Sequence, residues 1–242
     1  SKALQHVFFA ERQAAKVPGL SKDTPLQTIK KVGVIGAGTM GGGISMNFAN
    51  VGIPVKILEM DQAALDKGLG IVKKNYEASA WKGRISSEDV DVRMGLIEGT
   101  TNYSDLKDVD LVIEAVFENM DVKKKVFSKL NETVSENTIL ASNTSYLDID
   151  EIATVVDNPE RVLGMHFFSP ANIMRLLEII KAEKTSPAIL ATVLKLAKSI
   201  KKVGAVAGVC HGFIGNRMLT GYSREANLLV LEGAPPEQVD RV

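Results

Sequence analysis

The stretch KVGVIGAGTMGGG, residues 31–43, decides the fold class of this chain. It joins a short β-branched run to a helical segment through glycines at positions 36, 38 and 41. A G-x-G-x-x-G pattern between a strand and a helix is typical of a βαβ unit that binds a dinucleotide. In such a unit Gly36 permits the tight turn, Gly38 lets the pyrophosphate approach the backbone, and Gly41 lets the helix pack on the strand. The alternative is that these glycines serve only close helix packing.

An acidic residue completes the pattern at the end of the next predicted strand. This strand lies in IPVKILEMD, residues 53–61, and Glu59 is near its end. A carboxylate at this position accepts hydrogen bonds from the adenosine ribose hydroxyls. It also repels a ribose 2′-phosphate, and Asp61 adds a second acid while no arginine is near in sequence. We therefore predict NAD, rather than NADP, as the cofactor.

The rest of the chain continues the alternation of strands and helices that this unit begins. Strands are predicted within residues 31–38, 53–61, 109–116, 137–142, 161–168, 175–180 and 203–208. Helices are predicted at 1–16, 39–52, 62–81, 86–95, 121–134 and 186–200, with only helical sequence after residue 212. Such alternation indicates an α/β fold, a doubly wound Rossmann-like parallel sheet with helices on both faces.

Three regions follow from this pattern. We expect residues 1–30 to form a linker helix and connector, because Pro18 and Gly19 end the first helical segment. Residues 31–210 are predicted to form the NAD-binding Rossmann-type domain. Residues 211–242 are predicted to form the start of an all-α C-terminal domain that is incomplete in this chain.

Composition excludes several classes of function. The 242 residues carry 29 basic and 29 acidic side chains, so the formal net charge is zero. This balance argues against a nucleic-acid-binding or polybasic membrane-binding role. The single cysteine, Cys210, excludes an internal disulfide and fits a reducing compartment. We predict no membrane span and no metal site.

A histidine and an acid stand out in RVLGMHFFSPANIMRLLEII, residues 161–180. His166 comes at the end of one apolar run, and Glu178 lies within the next. Either residue has an ordinary alternative: a hydrogen-bonded core histidine, or a glutamate that faces solvent or pairs with a lysine. However, ligands of open α/β sheets bind at the carboxyl ends of strands. A carboxylate on one ring nitrogen leaves the other as a base, which indicates alcohol oxidation beside a nicotinamide.

Polar residues at two further positions suit the same edge of the sheet. ASNTS, residues 141–145, follows a predicted strand and offers Asn143, Thr144 and Ser145. HGFIGNR, residues 211–217, opens the C-terminal helical region and contains Asn216. An ordinary Ser/Thr/Asn turn and a helix cap remain the alternatives.

Five motifs together resemble a known family. In order along the chain they are GVIGAGTMGGGI, VIEAVFENMDVKKKVF, ILASNTS, HFFSPANIMRLLEII and GFIGNRM. From about Lys31 onward the sequence resembles the (S)-3-hydroxyacyl-CoA dehydrogenases of fatty-acid β-oxidation. ALQHVFFAERQAAKVPG is similar to the helix that joins a hydratase/isomerase module to the dehydrogenase module of multifunctional enzymes. HFFSPA is also similar to the multifunctional members.

The resemblance implies a reaction and roles for four residues. The reaction is NAD-dependent oxidation of a (S)-3-hydroxyacyl-CoA to the 3-ketoacyl-CoA. His166 corresponds to the general base and Glu178 to the acid that orients it. Ser145 and Asn216 correspond to the residues that contact the substrate oxygen.

The resemblance also implies the residues that bind the cofactor and the CoA moiety. Ser169 replaces an asparagine that contacts the cofactor in single-function members. Lys82 corresponds to a basic residue that meets a CoA phosphate. The implied cofactor contacts are Gly36, Gly38, Thr39, Met40, Gly41, Glu59, Glu118, Lys123, Ser145 and Ser169.

Two other functions remain open at this point: a related NAD-dependent hydroxyacid dehydrogenase, and a non-catalytic NAD-binding piece. The resemblance implies an acyl-CoA substrate and a neighbouring hydratase/isomerase module. Since the family continues beyond Val242, Leu228, Leu229 and Leu231 are expected to be exposed and to favour association, including a dimer. We predict a bacterial cytoplasmic location, with a peroxisomal one as the alternative.

Overall fold

One eight-stranded sheet organises the molecule. The structure, a computed structural model, describes residues 1–14, 16–21 and 23–241. The order across the sheet is β3-β2-β1-β4-β5-β6-β7-β8. The strands are β1 Val32–Ile35, β2 Val55–Leu58, β3 Ile97–Thr100, β4 Leu111–Glu114, β5 Ile139–Ser142, β6 Val162–Phe167, β7 Leu176–Lys181 and β8 Val203–Gly208.

Helices cover both faces of this sheet, and further helices lie near the two ends of the chain. They are α1 Lys2–Ala14, α2 Thr39–Ala49, α3 Gln62–Trp81, α4 Ser87–Met94, α5 Met120–Thr133, α6 Ile149–Ala153, α7 Pro187–Ser199, α8 Gly215–Leu231 and α9 Pro236–Val239. Of the first helix predicted from sequence, position 15 lies outside the described residues. In the part of the chain that the structure describes, no helix combines the length and apolar character needed to cross a membrane.

The doubly wound Rossmann-like α/β fold with a mostly parallel sheet is confirmed, and one pair of strands near an edge departs from the parallel arrangement. Strands β3, β2, β1, β4, β5 and β6 pair in parallel, whereas β6 and β7 are antiparallel and β8 follows the direction of β7. Parallel neighbours need a crossover of about a dozen or more residues. Only residues 168–175 join β6 to β7, so the chain turns back.

The short strand β3 and the short helix α6 are absent from the sequence prediction. Strand β3 is four residues long and contains Glu98 and Gly99, which have low strand propensity. A Cβ on Gly99 would lie 2.9 Å from a methyl group of Leu69, so α3 packs closely against this strand. Helix α6 begins at Asp148, whose carboxylate accepts from the backbone N–H groups of Asp150 and Glu151.

The core forms an apolar layer on each face of the sheet. Strands β1, β4 and β5 are buried along their full length, as expected for parallel strands covered on both faces. On α7 the predicted apolar face is confirmed, and all four of its residues are buried: Ile189, Val193, Leu196 and Ile200. This packing brings the carboxyl ends of β1, β4, β5 and β6 to one edge, with the start of β7 beside them.

Candidate active site

The turn after β1 is built so that only glycine fits at two positions. Gly36 has a φ of 99°, and a Cβ there would lie 2.9 Å from the carbonyl oxygen of Ala115. A Cβ on Gly41 would lie 1.8 Å from the carbonyl oxygen of Gly36. Helix α2 therefore starts in direct backbone contact with the end of β1, which aims its N-terminus at the edge of the sheet.

Gly38 differs from these two glycines because it faces open space. It caps α2 with φ −69° and ψ −173°, a conformation open to any residue, and no side chain caps this helix end. A Cβ on Gly38 would meet nothing within 4 Å. Amides of a first helical turn have no partner within the helix, and with the helix dipole they bind an anion. The loop thus fits a dinucleotide pyrophosphate, with Thr39 exposed beside it.

Glu59 fastens this loop to the neighbouring strand. Its Oε2 accepts a hydrogen bond from the Ala37 N–H at 3.0 Å, and its Oε1 accepts from the Met60 N–H at 2.8 Å. The carboxylate lies in the wall of a cleft with apolar sides that include Met40 and Phe117. Such a mostly apolar cleft with one acid and a helix N-terminus suits a nucleotide.

Gly68 on α3 also supports the loop and was missed by the sequence analysis. A Cβ on Gly68 would lie 2.2 Å from the carbonyl oxygen of Ala37, so α3 packs its backbone against the glycine loop. In the sequence Gly68 and Gly70 lie two residues apart inside a helical pattern, and nothing local shows that only Gly68 packs against the loop.

His166 and Glu178 face each other across β6 and β7. They are direct partners in the antiparallel register, and Nδ1 of His166 is 2.7 Å from Oε2 of Glu178. Both side chains are buried. The other carboxylate oxygen, Oε1, accepts from the N–H groups of Gly215 at 2.7 Å and Ile214 at 3.1 Å. One carboxylate therefore joins the histidine to the first turn of α8.

These contacts keep Glu178 ionised. Burial by itself raises the pKa of this carboxyl, but hydrogen bonds from His166, Gly215 and Ile214, with the histidine charge, outweigh it and lower the pKa. The ionised carboxylate accepts a hydrogen bond from the Nδ1–H group of His166, which leaves Nε2 free to act as a base. The rings of Phe168 and Phe213 flank the imidazole at centroid distances of 4.4 and 5.8 Å and limit its rotation.

The lowered pKa predicts how acid affects stability. The contribution of Glu178 to the free energy of unfolding is fully present above its ordinary pKa of 4.5 and is lost as the pH falls through the lowered value. Urea unfolding of the parent and of Glu178→Gln should therefore differ most above the ordinary pKa of 4.5 and converge as the pH falls through the lowered pKa. A difference that stays constant over this range would contradict the assignment.

The ends of β4 and β5 carry a buried polar network that the sequence analysis missed in part. Glu114, the last residue of β4, accepts from Lys123 Nζ at 2.7 Å and from Ser142 Oγ at 2.6 Å. Glu118 lies 3.6 Å from the same ammonium. Glu114 and Ser142 have no local signature because each simply ends an apolar strand.

Ser145 and Asn216 come from distant segments that meet at this edge. Asn216 Nδ2 is 3.5 Å from the carbonyl oxygen of Ser145. Asn143 accepts from the Phe167 N–H at 2.8 Å, which ties the loop after β5 to the residue next to His166. The structure thus brings four predicted residues to one region: Ser145, His166, Glu178 and Asn216.

Three other predicted residues lie outside this cluster. Lys82 is exposed at the end of α3, and Ser169 is exposed in the β6–β7 connection. Among the described residues no hydrogen bond or ion pair joins either one to the cluster. Lys123 is buried, and its ammonium faces Glu114 and Glu118.

Two side chains hold the connection that contains Ser169 against α2. Asn47 Nδ2 donates to the carbonyl oxygen of Ala171 at 3.1 Å, and Lys202 Nζ donates to Ala171 O at 2.6 Å and Met174 O at 2.7 Å. The connection is therefore fixed beside the helix that opens at the glycine loop. Within residues 1–14, 16–21 and 23–241, no three His, Cys, Asp or Glu side chains are grouped so that they could hold a metal ion.

Comparison with known proteins supplies the family. The family model described as 3-hydroxyacyl-CoA dehydrogenase, NAD binding domain, matches residues 31–210. The chain belongs to the 3-hydroxyacyl-CoA dehydrogenase family. The prediction of NAD as cofactor is thereby confirmed for this chain.

Curated proteins with similar sequences support the same family assignment. The chain is 45% identical over 246 residues to the peroxisomal bifunctional enzyme of Cavia porcellus, and the match covers 100% of this chain and 34% of that enzyme. It is also 41% identical over 242 residues to the peroxisomal fatty acid beta-oxidation multifunctional protein MFP2 of Arabidopsis thaliana. That match covers 100% of this chain and 33% of the Arabidopsis protein. The chain thus spans about a third of the length of these curated relatives.

A solved structure is also similar to this chain, and the match covers a larger share of that protein than of the curated relatives. The crystal structure of (S)-3-hydroxybutyryl-CoA dehydrogenase from Ralstonia eutropha matches with a TM-score of 0.85 and 38% sequence identity. The match covers 87% of the present chain and 75% of the chain from Ralstonia eutropha.

Proposed function

We propose that this dehydrogenase oxidises the 3-hydroxyl group of a (S)-3-hydroxyacyl-CoA to the ketone. The observation that carries the proposal is the buried His166–Glu178 pair, with 2.7 Å between Nδ1 and Oε2. The pair lies at the same edge of the sheet as the glycine loop of the NAD-binding domain. Family membership supports the same reaction.

In this reaction His166 is the general base. Its Nε2 takes the proton of the substrate hydroxyl, while Glu178 holds the ring orientation and stabilises the imidazolium that forms. A base positioned in this way contributes about 10²–10⁴ to the rate. When bound, NAD would accept the hydride that leaves the carbon bearing this hydroxyl group.

The remaining roles follow the resemblance. Ser145 and Asn216 hold the substrate oxygen, and Lys82 meets a phosphate of CoA. NAD is held by the glycine loop together with Glu59. The residues proposed to bind NAD are Gly36, Gly38, Thr39, Met40, Gly41, Glu59, Glu118, Lys123, Ser145 and Ser169.

We also propose three regions within this chain. Residues 1–30 serve as linker helix and connector, residues 31–210 form the NAD-binding domain, and residues 211–242 belong to a helical domain. In support, no residue of α1 or α8 is buried, unlike the helices that cover the sheet. The exposed face of α8, which includes Leu228, Leu229 and Leu231, favours association such as a dimer.

The curated relatives bear on partners and location. Their names describe bifunctional or multifunctional peroxisomal enzymes, which supports a neighbouring hydratase/isomerase module. The bacterial cytoplasmic location predicted from sequence has no support among them. We propose the peroxisome instead.

The first test is the loss of NADH absorbance on mixing the protein with acetoacetyl-CoA, with NADPH as the control. Turnover with NADH and at least about tenfold less with NADPH is expected, because the Glu59 carboxylate repels a 2′-phosphate. Turnover of a free 3-keto acid that needs no CoA would favour the related hydroxyacid dehydrogenase. NADH binding without turnover of either substrate would favour a non-catalytic NAD-binding piece.

A further inference from the structure

We propose that Lys202 is a positioning residue for the cofactor: its buried ammonium holds the β6–β7 connection, residues 168–175, in the shape that presents Ser169 to the nicotinamide half of NAD. The proposal rests on the function proposed above, in which Ser169 contacts NAD. Lys202 is not among the cofactor contacts that the resemblance implies, and it acts only through the connection.

Lys202 is a buried lysine whose charge is not balanced by an acid. It lies between α7 and β8 and is only 8% exposed. Burial lowers the pKa of this lysine, and in the part of the chain that the structure describes no ion pair joins its ammonium to a carboxylate. A buried charge of this kind is a weak source of stability. Its contacts therefore point to a role in fixing one arrangement of the chain.

Two backbone carbonyl groups of the connection replace the water around this ammonium. Nζ donates to the carbonyl oxygens of Ala171 at 2.6 Å and Met174 at 2.7 Å. Within the same segment the N–H groups of Ile173 and Met174 both donate to the carbonyl oxygen of Pro170, at 2.9 and 3.0 Å. Residues 170–174 thus form a tight turn, and the ammonium ties its beginning to its end.

The same turn packs against α2, the helix that begins at the glycine loop. A Cβ on Gly43 would lie 3.1 Å from the Cβ of Ala171 and 3.4 Å from the backbone nitrogen of Asn172. One helical turn further on, Asn47 Nδ2 also donates to the Ala171 carbonyl oxygen, at 3.1 Å. This carbonyl group is therefore held between α2 and Lys202, and both donors fix the turn relative to the helix that binds the cofactor.

Ser169 lies in the part of the connection between this turn and the catalytic base. It is exposed, and it comes three residues after His166 and two before Ala171. Glu59 and the glycine loop are proposed to bind the adenosine ribose and the pyrophosphate. The nicotinamide ring has to lie near His166, because the hydride and the proton leave the same CH–OH group of the substrate. A displaced connection should therefore weaken binding of the nicotinamide half and spare the adenosine half.

The test replaces Lys202 by Met, which keeps a similar length and removes the charge and its three donors. Lys198→Met is the matched control, since it makes the same chemical change at an exposed position in the last turn of α7. Three quantities are measured: hydrogen exchange of the Ile173 and Met174 amides, the Kd for NADH and the Kd for ADP. ADP carries the adenosine and the two phosphates but lacks the nicotinamide half.

We expect Lys202→Met to speed exchange of both amides by at least about tenfold, because the turn that protects them is no longer tied. The Kd for NADH should rise about threefold to tenfold, the effect of one lost hydrogen bond. The Kd for ADP should stay within about twofold of the parent value, as for a neutral contact. Lys198→Met should change none of these quantities.

Ser169→Ala tests whether the lysine acts through this serine. Because Ser169 is exposed, the variant should fold, and it should raise the Kd for NADH about as much as Lys202→Met does. In the Ser169→Ala background, Lys202→Met should add less than about twofold, since both changes remove the same contact.

A second substitution keeps the proposal open to refutation if Lys202→Met folds poorly. Lys202→Gln leaves a polar group in the buried position, but its side chain is too short to reach both carbonyl oxygens. It should show the same difference between NADH and ADP as Lys202→Met.

Equal weakening of NADH and ADP would overturn the proposal, because it indicates a general loss of structure. Unchanged amide exchange, parent affinity for NADH, or a full additional effect in the Ser169→Ala background would overturn it as well. If the parent protein binds NADH but turns over no acyl-CoA, the proposed oxidation fails, while amide exchange and the two Kd values still decide the role of Lys202.

Discussion

Glu178→Gln should lower kcat for acetoacetyl-CoA reduction by about 10²–10⁴ and leave NADH binding almost unchanged. The amide keeps the shape of the carboxylate, and its oxygen can still accept from the Gly215 N–H. Its NH₂ group, however, cannot accept the Nδ1 proton of His166. In the oxidation the ring then takes the other tautomer, in which Nε2 carries the proton and is no longer a base. In the measured reduction His166 must donate this proton as the imidazolium, which a neutral amide stabilises less than a carboxylate does.

Stopped-flow measurement of NADH oxidation, with a separate NADH titration, checks this result. Glu183→Gln makes the same chemical change on an exposed residue just after β7, and it should have parent activity. His166→Gln should lose about as much as Glu178→Gln, and the double variant little more, because the two residues act as a unit. Parent-like turnover of Glu178→Gln would remove the pair from the mechanism.

Gly38→Ala should weaken NADH binding by about tenfold to 100-fold, the cost of one or two lost hydrogen bonds to a charged group. The added methyl group enters the open space in front of α2, where the pyrophosphate is expected. The fold should be unaffected, because the backbone of Gly38 suits alanine and nothing lies within 4 Å of the new Cβ.

Gly41→Ala should instead destabilise the protein, since its Cβ would lie 1.8 Å from the Gly36 carbonyl oxygen. Overpacking of this kind typically costs about 1–3 kcal/mol. Gly70→Ala is the control for both variants: Gly70 is an exposed residue of α3 with open space around it. It should bind NADH normally and gain about 0.5–1 kcal/mol of stability from helix propensity.

Urea unfolding and NADH titration of the three variants separate binding from stability. Gly38→Ala with parent affinity for NADH would mean that the pyrophosphate does not approach the backbone at this loop. Normal stability of Gly41→Ala would mean that α2 can move away from β1, against the close contact in the structure.

Local patterns in the sequence were sufficient for the fold class and the cofactor. The turn at Gly36, the approach at Gly38 and the acid at Glu59 lie within one βαβ unit, so their spacing along the chain reflects their spacing in the molecule. Apolar periodicity was sufficient for α3 and α7, whose buried faces follow the helical repeat.

Contacts between distant segments could not be predicted in this way. Gly68 is needed because α3 packs against Ala37, and Lys123 is buried because β4 ends at Glu114. Nothing in the neighbouring sequence marks either residue, because the atoms that constrain it belong to another element.

The sequence by itself determined the Rossmann-like sheet, the dinucleotide loop and the candidates His166 and Glu178. Only the tertiary structure decided how those two residues meet. The short connection after β6 reverses the chain, so the start of β7 lies at the carboxyl edge and Glu178 comes opposite His166. The first turn of α8 then supplies the Gly215 and Ile214 N–H groups that help keep the carboxylate ionised. The short spacing is compatible with the reversal, but the register of β7 on β6 and the docking of α8 depend on how the whole chain packs, and residue spacing does not encode them.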